Sequence, residues 1–408
     1  MKSKLEVKNL YKVFGGCPEE ALRLIENGAG RSELFARSGQ SLAVDNASFT
    51  VQEGEIFVIM GLSGSGKSTL VRLLNRLIDP SAGHVLFDGH DIAGMSDAQL
   101  RDLRRNHISM VFQSFALMPH LSVLQNVAFG LELAGEPKSI RSEKAQEALE
   151  KVGLGTRAQC YPHELSGGMQ QRVGLARALA SNPSVLLMDE AFSALDPLIR
   201  AEMQGELVKL QQREKRTIIF ISHDIEEAFR IGDRIAIMQD GVVVQVGSKE
   251  EIVKHPKNDY VRSFFENVDV TPIYSALDVS DSPGDAVVNA RRSSVEEARA
   301  QLMASEREFG FVVDEERRFL GLISVESLDT EIRVKSEPNL ISALLAEVPT
   351  VAATTSVANL YGILAKFRHD LPVVDTDGRF RGAVSRSRVF ELLGQRPGVL
   401  EQRTAGLT

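Results

Sequence analysis

The chain has 408 residues, 43% of them hydrophobic and 25% charged, with a formal net charge of −8 and only two cysteines. That length suggests two or three domains around a sizeable core, while the negative balance excludes binding to nucleic acid through overall basic charge. Cys17 and Cys160 make neither a disulfide framework nor a metal-ligand spacing, no apolar run approaches bilayer-spanning length, and residues 1–7 lead into a strand pattern instead of a signal peptide.

In chain order, residues 5–14 alternate like a strand and 43–51 form a second. Between them, 15–40 carries Cys17, Pro18, several glycines and a short helical piece at 19–26, and reads as an insertion packed on the surface. Residues 55–60 read as a buried strand, opening onto Gly61-Leu62-Ser63-Gly64-Ser65-Gly66-Lys67-Ser68-Thr69. This fits the P-loop pattern G-x-x-x-x-G-K-[ST]. Its glycines let successive backbone N–H groups turn inward as a nest for phosphate oxygens. The helix that follows, apolar on one face through 70–74, adds the positive end of its dipole. Lys67 is placed to reach the β- and γ-phosphates of ATP, and the Ser68 hydroxyl to ligate Mg²⁺. The predicted nucleotide contacts are therefore Gly61, Ser63, Gly64, Ser65, Gly66, Lys67, Ser68 and Thr69.

A strand is predicted at 85–89, a charged helix at 100–106, and a buried strand at 108–112 with Gln113 at its carboxyl end. Residues 114–135 are mixed and rich in Met, Phe and Leu around Pro119 and His120, and 142–152 reads as a helix. Ser166, in Leu165-Ser166-Gly167-Gly168-Met169-Gln170, caps a helix running to about 181. An apolar strand at 185–188 ends in Asp189-Glu190, Pro197 opens a helix to about 213, and a strand at 217–221 ends in Ser222-His223-Asp224. Two short strands, 234–239 and 242–246, turn at Asp240-Gly241, and helices follow to about 267. Composition then shifts to Asp, Ser, Pro and Gly over 269–285, which reads as a linker. Beyond it the chain repeats: Phe311-Val312-Val313-Asp314 with 319–324 matches Pro372-Val373-Val374-Asp375 with 380–385. Each copy follows an amphipathic helix, 295–304 or 357–367, and two such units bury their sheets against each other.

Nucleotide hydrolysis also needs a Mg²⁺ ligand on a neighbouring strand and a group that positions water. Asp189 sits where a Walker B aspartate holds the metal, and Glu190 beside it suits a general base. The Leu165-Ser166-Gly167-Gly168 stretch resembles the signature of ATP-binding-cassette (ABC) ATPases, and the resemblance covers residues 5–267. It implies Gln113 as the Q-loop residue and third metal contact, Ser193-Ala194-Leu195-Asp196 as the D-loop and His223 as the switch histidine. It also implies two cassettes closing head-to-tail, with Ser166, Gly167 and Gly168 of one facing the nucleotide of the other. Phe14 matches the aromatic that stacks on adenine, with Phe35 as its rival. Met169 stands where the common signature has Gln.

The C-terminal repeat resembles a tandem pair of cystathionine-β-synthase (CBS) domains. Such pairs hold ribose with a hydroxyl residue and an acid three positions on; here the pairs are Ser324/Ser327 and Ser385/Arg388, without the acid. A cluster of Arg368, Arg379, Arg381, Arg386 and Arg388 instead suggests an anion contact, to lipid headgroups or a cyclic dinucleotide, with Arg386 and Arg388 as regulatory residues. An ABC cassette followed by two CBS repeats is similar to the ATPase subunits of quaternary-amine (glycine betaine/proline) importers, as are the wordings of 112–120 and 188–200.

The expected fold is α/β: a P-loop cassette with a helical subdomain over 1–268, a linker at 269–285, CBS repeats at 286–333 and 340–395, and a tail at 396–408. The expected function is a quaternary-amine-transporting ATPase using ATP and Mg²⁺, a homodimer bound to a separate permease at the cytoplasmic face of the inner membrane. A substrate-binding protein serves the same system, the stretch 115–129 is the expected permease-docking surface, and no nucleic acid is involved. The rival readings are an ABC importer ATPase for another amine or amino acid and a mechanical ABC ATPase. The latter would show long coiled coils or two cassettes, which this sequence lacks.

Overall fold

The computed structural model describes residues 2–113, 116–193, 195–266 and 268–394. Ser114, Phe115, Ala194 and the tail 396–408, which figure in the expectations above, lie outside the described residues. The chain divides after Phe264 into two compact units. Among the described residues no helix is long and apolar enough to cross a membrane.

The first unit opens with β1 (Ser3–Phe14), followed by α1 (Pro18–Glu26), α2 (Arg31–Ser38) and β2 (Ser41–Gln52). The P-loop strand β3 (Ile56–Met60) leads into α3 (Lys67–Leu74), then β4 (Ala82–Phe87), β5 (His90–Asp91), α4 (Asp97–Asn106) and β6 (Ile108–Val111). A helical stretch follows, with α5 (Val123–Leu133), α6 (Lys138–Lys151) and α7 (Gly167–Ala180). The unit closes with β7 (Val185–Asp189), α8 (Pro197–Glu214), β8 (Thr217–Ser222), α9 (Ile225–Ile231), the hairpin β9 (Arg234–Gln239) and β10 (Val242–Gly247), α10 (Lys249–Lys254) and α11 (Asp259–Ser263).

Two sheets result, one ordered β2-β1-β4-β5 and antiparallel throughout, the other ordered β10-β9-β3-β8-β7-β6. In the second sheet only β10 runs antiparallel to its neighbour. Its central strands β3, β7 and β8 are buried at every position. Helices cover both faces of such a sheet, so its strands read as unbroken apolar runs without alternation. The core joins both sheets and α3: Leu5, Leu10 and Phe49 meet Phe57, Ile59, Leu70 and Leu73. Phe49 stacks on Phe57 with ring centroids 5.2 Å apart. Burying such a side chain contributes about 1.5–3 kcal/mol.

The insertion contains two helices where the sequence predicts one. Ala21 of α1 and Leu34 of α2 bury with Val13 and Leu42 in a small core of their own, and Leu24 and Ile25 pack against it.

The second unit holds the repeat. One copy has β11 (Val287–Asn289), α12 (Val295–Ala304), β12 (Phe309–Val313), β13 (Phe319–Ser324) and α13 (Val325–Val334). The other has β14 (Val351–Ala352), α14 (Tyr361–Leu364), β15 (Leu371–Val374), β16 (Phe380–Val384) and α15 (Arg386–Gly394). Each sheet pairs its first two strands in parallel and its last two antiparallel, with a register shift at the same place, Val312/Val313 and Val373/Val374. Phe311 and Phe380 meet at 5.0 Å between centroids, so the two repeats share a core. The predicted helix over 357–367 is instead a 3₁₀ turn at Val357–Asn359 and the single turn α14. Gly362 inside it and the absence of a side-chain cap explain the shortening. The stretch 269–285 reads as a linker by composition, yet Val270, Tyr274, Ala276 and Val279 are buried. Its backbone bonds to the second copy through Ala276 N–H to Thr355 O and Asp281 N–H to Ala383 O.

Candidate nucleotide site

Parallel strands deliver their carboxyl ends to one sheet edge, where open α/β folds place ligands. Met60 of β3 lies opposite Ser222 of β8, Ile221 of β8 opposite Asp189 of β7, and Met188 of β7 opposite Val111 of β6. The residues just past these ends are therefore neighbours: the P-loop, His223, Glu190 and Gln113. A cavity of about 390 Å³ opens there, lined by Ser63, Gly64, Gly66, Lys67, Ser68, Thr69, Gln113 and Glu190, together with Arg31 and Ala43.

Backbone sterics fix the loop. Gly66 has φ +98°, and a Cβ there would stand 2.2 Å from the Ala43 carbonyl oxygen; a Cβ on Gly61 would stand 2.3 Å from Met238 O. The Lys67 ammonium donates to the carbonyls of Gly61 and Leu62, each at 2.9 Å. Burial lowers its pKa, opposed by the carboxylates of Glu190 and Asp189. The Ser65 hydroxyl is buried without a hydrogen-bond partner, the condition of a cradle built for a ligand oxygen.

Ser68 Oγ–H donates to Asp189 Oδ1 at 2.8 Å. Asp189 is buried, and desolvation raises its pKa against the Ser68 bond and the Arg72 guanidinium 3.7 Å away. This hydroxyl and carboxylate are hard oxygen donors of the kind Mg²⁺ takes alongside phosphate oxygens and water. Gln113 Nε2 instead donates to Glu190 Oε2 at 3.2 Å and reaches Ser193 Oγ at 3.4 Å. His223 Nδ1 lies 3.8 Å from the same Glu190 oxygen. Glu190 has φ +46°, an uncommon conformation for a residue other than glycine and one that clusters at functional sites.

Other expected residues lie outside the lining of this cavity. Ser166 caps α7, accepting from Met169 N–H, and is exposed together with Gly167. Gly168 is buried because α8 comes close: a Cβ on it would stand 2.5 Å from Ile199 Cγ2. Phe14 is 43% exposed beneath the Lys12 ammonium, and Phe35 is 63% exposed. Arg386 donates to the carbonyls of Leu364 and Phe367, while Arg388 pairs with Glu391 at 3.2 Å and Asp281 at 3.7 Å. Both regulatory candidates thus have their guanidinium groups in contact with neighbouring residues of the second unit.

Sequence reasoning missed Arg31 and Ala43, which reach the cavity from α2 of the insertion and from β2 just beyond it. The spacing of the P-loop gives no hint of residues brought in from 18 and 30 positions upstream of Gly61. It also missed Arg200, which donates to Leu195 O at 3.1 Å and lies 3.7 Å from Asp224, tying the D-loop to the segment of His223.

Fold and site together define a P-loop nucleotide-binding cassette of the ABC type. The ABC transporter family model matches residues 44–193 and the CBS domain model residues 342–395. The chain is 52% identical to the glycine betaine/proline betaine transport system ATP-binding protein ProV of Escherichia coli, over 98% of this chain and 99% of that one. It is 44% identical to the glycine betaine transport ATP-binding protein OpuAA of Bacillus subtilis, over 96% of this chain and 92% of that one. Among solved structures, a bacterial ABC transporter cassette in dimeric form matches with a TM-score of 0.51 and 33% identity, covering 60% of this chain and 98% of that one. The same cassette bound to ADP and phosphate after hydrolysis matches equally well. The chain belongs to the family of ABC transporter ATP-binding proteins that includes ProV and OpuAA.

Proposed function

We propose that this chain hydrolyses ATP to drive import of glycine betaine, proline betaine and related osmoprotectants through a separate membrane permease. One observation carries the reading: a single sheet edge gathers Lys67, Ser68, Asp189, Glu190 and Gln113, in a chain similar over nearly its whole length to betaine-transport ATP-binding proteins. Gly61, Ser63, Gly64, Ser65, Gly66 and Thr69 cradle the triphosphate, and Lys67 exchanges its loop carbonyls for phosphate oxygens. Ser68 and Asp189 would hold Mg²⁺, with Gln113 as a third contact, and the ion supplies charge neutralisation at the β- and γ-phosphates. Glu190 accepts the proton of the attacking water, while Gln113 and His223 orient that water and the carboxylate. Phe14 supports the adenine.

Two copies close head-to-tail, each offering Ser166, Gly167 and Gly168 to the other's nucleotide; the exposure of Ser166 and Gly167 away from their own cavity supports this. The assembly works at the cytoplasmic face of the inner membrane, with the stretch after Gln113 passing motion to the permease and a substrate-binding protein delivering the solute. The CBS pair regulates it through an anionic lipid or cyclic dinucleotide. Exposed Arg368 and Arg379 support that role better than Arg386 and Arg388, whose guanidinium groups are engaged within the fold. The test is equilibrium binding and turnover of MgATP by the purified chain: saturable binding lost in Lys67→Ala is expected, and no binding by the wild type would overturn the proposal.

A further inference from the structure

We infer that the 15–40 insertion supplies a cation to the nucleotide site: Arg31, in the first turn of α2, binds the polyphosphate held by the P-loop. The inference rests on the reading of this cavity as an ATP site. Arg31 lines the same cavity as Ser63, Lys67 and Glu190. It is held there by a built element, since Leu34 one turn on is fully buried in the small core with Val13, Ala21 and Leu42.

What now holds its guanidinium is weak. Asp240 Oδ1 lies 3.4 Å away, at the long limit of a hydrogen bond, on a side chain 75% exposed to solvent. Asp45 adds attraction: burial raises its carboxyl pKa and Arg31 opposes the rise. Both carboxylates belong to segments fixed on the loop, because Gly241 N–H donates to Ser65 O at 3.0 Å and Asp45 N–H to Gly241 O at 2.9 Å. The guanidinium is thus kept beside the P-loop by acids that hold it loosely. A phosphate in the cavity offers two oxygens to the planar fork, a stronger partner than one exposed carboxylate oxygen. Within 15–40 the cavity's lining includes Arg31, a cation, so the insertion's contribution there is ionic.

The full-length chain is titrated with fluorescent analogues of ATP and AMP, as wild type, Arg31→Ala, Arg31→Lys and, for reference, Lys67→Ala. Arg31→Ala is expected to weaken the ATP analogue about tenfold, in keeping with loss of one charge-assisted contact. The AMP analogue should weaken less, Arg31→Lys should be intermediate, and ATP affinity should fall less steeply with salt in Arg31→Ala than in the wild type. Wild-type affinity and salt slope in Arg31→Ala, with binding lost in Lys67→Ala, would overturn this inference and leave the ATP site standing. Wild-type binding in Lys67→Ala would overturn the site itself. If Arg31→Ala fails to fold, Arg31→Lys decides: its planar fork is gone while its charge is kept, so an affinity equal to wild type would overturn the contact.

Discussion

Replacing Glu190 by glutamine keeps the volume of the side chain and removes the proton acceptor. The Glu190 carboxylate receives Gln113 Nε2 at 3.2 Å and stands 3.8 Å from His223 Nδ1, so two polar groups converge on one oxygen. Glutamine meets the same left-handed backbone, φ +46°, with no more strain than glutamate, and the fold is expected to stay intact. A positioned general base contributes about 10²–10⁴-fold to rate. At about 1.36 kcal/mol per decade that is about 2.7–5.5 kcal/mol of barrier. Lys67 also loses one of the two carboxylates that support its charge, while Asp189 remains. Phosphate release by Glu190→Gln is therefore expected to fall at least about a hundredfold, while MgATP still binds and accumulates dimers on gel filtration. Turnover within about threefold of wild type would refute the role of the base. Loss of ATP binding would refute the separation of binding from chemistry.

A Cβ on Gly66 meets the Ala43 carbonyl at 2.2 Å, so Gly66→Ala should abolish nucleotide binding in a fluorescence titration, with a lowered melting temperature. Burial raises the pKa of Asp189, so the fold binds that proton more tightly than the unfolded chain does. The stability this lends is present in acid and is lost as pH rises through the folded pKa. Asp189→Asn should therefore melt higher than wild type at neutral pH, with the difference closing in acid, and should lose Mg²⁺-dependent turnover; chelation of wild-type protein by EDTA should stop turnover as well. Phe380 is buried against Phe311 and Phe319, so Phe380→Ala should destabilise the second unit by about 3–5 kcal/mol in denaturant unfolding. Arg388→Ala should likewise lower stability, since Arg388 pairs with Glu391 and Asp281.

Residues 56–60, 185–189 and 217–222 were legible as strands because burial on both faces leaves a continuous apolar run ending in chemistry-bearing residues. The P-loop, Asp189, Glu190, Gln113 and His223 each fall at the carboxyl end of such a run. Helix starts were less legible, although the signals were present. Ser96 with Gln99 and Ser122 with Gln125 form capping boxes, which begin α4 three residues before the apolar pattern and make a regular helix of 123–133. The short strands β11 and β14 escaped because two or three residues carry no periodicity and gain strand geometry only by pairing with β12 and β15. The linker reading of 269–285 misled for a related reason: turn-rich composition does not reveal that scattered apolar residues, Val270, Tyr274 and Val279, bury on a distant segment. Arg31 at the cavity lay beyond sequence reasoning, since only the packing of Leu34 sets where α2 points.

The most direct measurement is solute uptake by proteoliposomes containing the permease and this chain, with ATP enclosed on the side of the chain and labelled glycine betaine presented with its binding protein. The account predicts ATP-dependent accumulation with the wild type and none with Lys67→Ala or Glu190→Gln. Undiminished accumulation with either variant, or with ATP omitted, would contradict it.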